Sequence, residues 1–134
     1  PLFILMMSCT TGEGISENTD FFIGIWELKS ATDEKGLDIS VPAGIDIVFE
    51  DENDGLDFYG ASSCNRYFGG ISALKRNSLK IAGVGSTNRA CTDSFEYYYL
   101  ETLQKVNRYA VENNILYLFF NDAYFLFERP KSKE

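Results

Sequence analysis

From Phe21 onward the chain is dominated by apolar and polar residues alternating with a period of two. In FFIGIWELKS (21–30), Phe22, Gly24, Trp26 and Leu28 fall on one side and Ile23, Ile25 and Glu27 on the other, as in a strand with one strongly apolar face. Trp26 is the expected core anchor, since truncating a buried indole costs on the order of 3–5 kcal/mol. IDIVFE (45–50) sets Ile45, Ile47 and Phe49 against Asp46, Val48 and Glu50, a half-buried strand. Asp54-Gly55 then signals a hairpin, because both central residues of a type I′ turn need positive φ, and a return strand runs from Leu56 to Tyr59. LKIAGVG (79–85), introduced by the basic turn KRNS, is another short strand. RYAVEN, ILYLFF and AYFLFER close the chain, joined by turns at Asn113-Asn114 and Asn121-Asp122. ATDEKGLDISVPAG (31–44) reads as a polar loop, and SSCNRYFGG (62–70) as a corner between two strands.

One segment changes period. In TDSFEYYYLETLQKVNRY (92–109), Phe95, Tyr99, Leu103 and Val106 make an apolar stripe at helical spacing, and Asp93 with Glu96 forms a capping box. Of Tyr97, Tyr98 and Tyr99 only one can face the core; the others pack at the helix edges or form an exposed aromatic patch. About seven short strands and one helix predict a mainly β fold: a small, barrel-like antiparallel sheet with a helix packed on it.

The chain has 134 residues, enough for one domain with a sizeable core. A net charge of −8 repels phosphate backbones, which argues against nucleic acid as a partner. The absence of His removes the commonest general base and the commonest metal ligand. The opening PLFILMMSC is too short to span a bilayer but fits the apolar part of a secretory signal. Ser8 directly before Cys9 resembles a bacterial lipobox, with Cys9 as the lipidation site, although Met6 stands where Leu is usual. The expected organisation is a truncated signal over 1–8, a flexible tether over 9–20 and a folded domain over 21–129.

SSCNRYFGG, followed about twenty residues on by STNRAC (86–91), a helix, and RYAV, NILYLFF and YFLFER, with WEL upstream, resembles the META/HslJ-like family (formerly DUF306). Its pattern runs roughly G-C-N-x-[FY]-x-G, then S-T-x-x-x-C, a helix and a closing pair of strands; the likeness covers Ile23 to Glu128. Trp26, Asn65, Arg66, Tyr67, Gly69, Ser86 and Thr87 stand at its motif positions, and the resemblance implies structural roles for them. Ser63 occupies a position usually held by Gly, so the backbone there either avoids positive φ or tolerates strain. The resemblance implies a barrel-like β domain with a helix. Members include envelope lipoproteins linked to heat shock and novobiocin resistance, and a parasite virulence protein. No catalytic mechanism comes with it.

Cys64 and Cys91 therefore read as structural. A nucleophilic thiol needs a base, and two thiols are too few for structural zinc. In an oxidising envelope they form a disulfide, closing about 27 residues for roughly 3–4 kcal/mol on the chain-entropy model, or lie separately buried. Asn65 is expected to bond nearby backbone, with Arg66 and Arg89 on the surface; an anion held by Asn65, Arg66 and Arg89 is the alternative. Asp51, Asn53 and Asp57 have calcium-loop spacing but lack the distant Glu, and the hairpin explains them. No catalytic residue, metal or cofactor is expected.

These observations point to a non-enzymatic, monomeric lipoprotein of the bacterial cell envelope. It would be lipid-anchored at the outer membrane, facing the periplasm or the cell surface, and would support stress tolerance by binding or assembly with an envelope protein partner. The alternatives are a carrier holding a small apolar ligand in its barrel, or an inhibitor of an envelope enzyme acting through loop 31–44.

Overall fold

The computed structural model describes residues 14–15, 19–52, 55–89 and 94–131. Cys9 and the signal, Asn53, Asp54, Cys91 and Asp93 lie outside the described residues, as does most of the expected tether.

The strands are β1 (Gly14–Ile15), β2 (Gly24–Thr32), β3 (Asp38–Ile39), β4 (Asp46–Glu52), β5 (Gly55–Ala61), β6 (Arg66–Lys75), β7 (Ser78–Ser86), β8 (Arg108–Glu112), β9 (Ile115–Phe120) and β10 (Ala123–Glu128). The helix α1 (Ser94–Leu103) lies between β7 and β8 in the chain. Neighbours in sequence pair antiparallel from β4 to β10, β2 pairs with β4, and β10 returns to β2. The sheet thus closes into a ring, and the expected barrel-like β fold with one helix is what the chain forms. Short β1 lies parallel on β6 inside the stretch read as a tether, and short β3 pairs with β2 inside the stretch read as a loop.

One seam of the ring is nearly open: β7 and β8 pair only at Ser78↔Arg108. Beyond that point Leu79 N–H still reaches the Asn107 carbonyl, and the helix follows. Because α1 starts near the end of β7 and finishes near its start, it runs alongside β7 on the side where β8 is absent, with a groove between them.

Inward positions follow the alternation read from the sequence. Phe22, Trp26, Ile45, Ile47, Phe49, Leu56, Phe58, Phe125 and Phe127 are all buried. Trp26, only 1% exposed, donates its indole N–H to the Phe22 carbonyl at 2.9 Å, so the polar atom of the core anchor is satisfied. Large aromatics fill the ring.

The longest strand, β6, was not expected. Its Gly69-Gly70 pair lowers strand propensity, and the motif around it reads as a turn. Glycine serves close packing here: a Cβ on Gly69 would sit 2.4 Å from the Gly83 carbonyl oxygen and 2.5 Å from the Phe58 ring. The turn residues Asn77, Asn113 and Asn121 take positive φ, as asparagine tolerates at hairpin turns.

The stripe on α1 docks as its spacing predicts: Phe95, Tyr99, Leu103 and Val106 are buried. The helix is shorter than the stripe, since Lys105 and Val106 bond three residues back and tighten the exit. Tyr99 is the tyrosine that faces the core. Tyr98 is half-buried and donates to the Thr32 carbonyl, and Tyr97 is 71% exposed. Leu103→Ala should cost about 2–5 kcal/mol in chemical denaturation, the range for a fully buried leucine. Gln104→Ala, at an exposed neighbour, should leave the midpoint almost unchanged; equal effects would put the helix in a different phase.

Candidate functional site: the corner at Ser62–Arg66

Asn65 and Thr87, with Ser62 and the Cys64 amide, gather in one polar cluster, and its centre is Glu96, which the sequence spacing assigns to a helix cap. Glu96 was read as half of a capping box, reaching back to the helix start. Its carboxylate instead leaves the helix and enters the corner. Oε1 accepts from the Ser62 hydroxyl at 2.9 Å, from Cys64 N–H at 2.9 Å and from Asn65 N–H at 3.0 Å. Oε2 accepts from Asn65 Nδ2 at 2.6 Å. The Asp93 half of the expected cap lies outside the described residues, while the Glu96 carboxylate is taken by the corner; acidic residues favour a first helical turn in any case.

Asn65 is the second hub. Its Oδ1 accepts from Arg89 N–H at 2.7 Å and from the Thr87 hydroxyl at 2.8 Å, and its Nδ2 also donates to the Arg89 carbonyl at 3.1 Å. Asn65 therefore binds backbone, but far along the chain rather than nearby. One amide ties the corner, the second motif island and the helix together. Arg66 N–H donates to Thr87 Oγ1, and Thr87 N–H returns to the Arg66 carbonyl. Ser62 is fully buried, and Asn65 and Glu96 are almost so, yet no buried side-chain polar atom among the described residues lacks a partner.

Burial pushes the Glu96 carboxyl up. The hydrogen bonds from the Asn65 side chain, the Cys64 and Asn65 amides and the Ser62 hydroxyl outweigh it and hold the group below its ordinary 4.5. With both oxygens engaged, Glu96 is an anchored anion rather than a free proton acceptor. Close by, Tyr67 donates to the Asp46 carbonyl at 2.6 Å, and Tyr99 shares a 2.6 Å bond with Tyr67. Burial raises both phenols, so they stay neutral structural donors.

Ser63 settles its own question: its φ is +98°, so the backbone keeps the conformation that glycine favours and tolerates the strain. Arg66 and Arg89 are exposed and line one surface cavity of about 360 Å³ with Ser63, Cys64 and Thr87. Asn65 spends its side chain on Thr87, Arg89 and Glu96, which leaves it no part in an anion site there. Trp26 and Gly69 belong to the core and the β6 packing, and Ser86 ends β7 at the edge of the corner. Among the described residues no group of three His, Cys, Asp or Glu side chains is arranged for a metal.

Glu96→Gln should cost about 2–4 kcal/mol, because it removes a charged acceptor and turns an amide N–H₂ toward donors. Glu96 has a folded-state pKa below its unfolded value. Its contribution is therefore complete above about pH 4.5 and is lost as pH falls through the lower folded value. Thermal midpoints across that range should fall more steeply for the native chain than for the variant. Ser63→Gly should raise stability by about 1 kcal/mol by relieving the positive φ. A lower midpoint would show that the serine is not strained there.

A META domain profile matches residues 20–132. No curated protein sequence matches the chain. Among solved structures, the fold is similar to an NMR structure of a protein from Burkholderia xenovorans. That match has a TM-score of 0.71 and 23% identity, and covers 95% of this chain and 100% of the other. It is also similar to a crystal structure of a DUF4847 family protein from Bacteroides vulgatus, with a TM-score of 0.62 and 19% identity over 86% and 99% of the two chains. At these identities the structures speak for the fold alone. The profile spans nearly the whole folded region, including the corner, the second island and the helix: the chain belongs to the META domain family.

Proposed function

We propose that this chain is a non-enzymatic module of the bacterial cell envelope, held to a membrane by a lipid on Cys9 and supporting stress tolerance through binding or assembly. The observation that carries the non-enzymatic reading is the saturation of the corner. Among the described residues, the carboxylate brought to Cys64 is that of Glu96, which accepts four hydrogen bonds and is stabilised as an anion, so it offers Cys64 no base. The aromatic filling of the ring favours action at the outer surface over carriage of a ligand.

The envelope part is supported by the apolar run before Ser8-Cys9 and by the likeness to envelope lipoproteins. The Cys64–Cys91 staple belongs to the same reading. It is supported by a bonded rather than free Cys64 sulfur, and by the hydrogen bonds that hold the chain at Arg89 against Asn65, two residues before Cys91. Asn65 and the staple then do related work, one by hydrogen bonds and one covalently.

The test uses the chain expressed in a bacterial host behind a complete lipoprotein signal. Metabolic labelling with a palmitate analogue should mark the protein, and Cys9→Ala should abolish the label and release the domain into the soluble fraction. Label persisting in Cys9→Ala would defeat the anchor. On protein purified without reductant, Cys64 and Cys91 should resist alkylation after denaturation. Free alkylation of both would remove the staple and leave the anchor standing.

A further inference from the structure

The vacant lane beside β7 has the features of a peptide-binding edge. Thr87 N–H donates to the Arg66 carbonyl on β6, so in the antiparallel alternation Gly85 also pairs toward β6. The N–H and C=O groups of Val84 and Ser86 then point the other way, into the lane. No described residue pairs with them there, because the β7–β8 ladder stops at Ser78. Edges are usually protected by lysine, proline or inward charge, yet Ala82–Ser86 carries none of these. A groove of about 370 Å³ separates this edge from α1. Val84 and Ser86 form one wall, and Tyr97, Leu100, Glu101 and Gln104, a single helical face, form the other. Two of the most exposed aromatics flank it. Phe68, 59% exposed, lies against Gly85 on the outer face of the sheet, and Tyr97, 71% exposed, stands on the helix.

We infer that the β7 edge and the facing side of α1 form a docking groove for an extended peptide segment of a partner protein, which adds as a strand to β7 and carries a basic residue opposite Glu101. The inference rests on the reading of the domain as a binding module and names its binding surface. Main-chain donors and acceptors at strand spacing are matched by another extended backbone. Charge selects the side chain: of the charged groups lining the groove, Arg89 belongs to the corner and Glu96 is saturated by it, while Glu101 is exposed, forms no ion pair among the described residues, and belongs to a chain of net charge −8. A second folded copy would bring the rest of its sheet against α1, which stands beside β7, whereas a single extended segment brings none.

The probe is a phage-displayed library of random dodecapeptides panned on the full chain. Enriched peptides should alternate apolar and polar residues and carry Lys or Arg at a fixed position. Val84→Pro removes an edge N–H without touching the β6 ladder, and should weaken a selected synthetic peptide by about tenfold, the scale of one or two lost hydrogen bonds. Tyr97→Ser, on the exposed helix face, should weaken the same peptide and keeps the test decisive if the proline variant misfolds. Glu101→Lys should exchange the preference for a basic residue for an acidic one. Failure to enrich any peptide overturns the groove, as does binding indifferent to both Val84→Pro and Tyr97→Ser. A concentration-dependent dimer abolished by Val84→Pro would overturn the peptide in favour of a second copy. None of these outcomes depends on the lipid anchor, whose failure shows in the labelling of Cys9→Ala.

Discussion

A single buried carboxylate determines how the parts of this domain meet. Glu96 sits on the helix, but its hydrogen bonds are made to the Ser62–Asn65 corner, and Asn65 carries the connection on to Thr87 and Arg89. An anion with four short donors around it is stable where an isolated one would not be, because each donor replaces a water lost on burial. The apolar stripe of α1 supplies most of the docking free energy without specifying a unique position, since one aromatic face can slide over another. The carboxylate removes that freedom. Its own partners all lie in the corner, and Asn65 ties that corner to the island, so the helix has one seat in which all of them are satisfied.

Much of the fold was legible because inward positions repeat with period two. Trp26, Ile47 and Phe58 declare their strands, and Phe95, Tyr99 and Leu103 declare the helix. The exceptions share a cause. Strand β6 is hidden by two glycines that are there because the Gly83 carbonyl and the Phe58 ring approach too closely for a Cβ. The role of Glu96 is hidden because its partners lie more than thirty residues away in sequence. Local spacing made it look like a cap, and tertiary contact made it a hub. The reach of Asn65 and Thr87 from corner to island is a property of the folded ring that local spacing does not carry.

The motif shared across the META domain family thus acquires a physical meaning in this chain. Asn65 and Thr87, with the Cys64 amide, tie a loop, a strand end and a helix into one node. Here the ring is incomplete between β7 and β8, and aromatic side chains stand on either side of the vacancy.

The other seam of the ring has a consequence for the order of events in folding. β2 and β10 pair Glu27 with Glu128, joining the start of the folded region to its end. Until the last strand emerges, β2 has an unpaired side, and Arg129 cannot lay its guanidinium 3.8 Å over the Trp26 ring. Nearly every ladder from β4 to β10 joins sequence neighbours and can form as the chain lengthens, but closure must wait for the C-terminal residues. Completion is therefore all-or-none with respect to chain length. A chain ending before Ala123 would keep most of its hairpins yet present two raw strand edges, one at each side of an unclosed sheet.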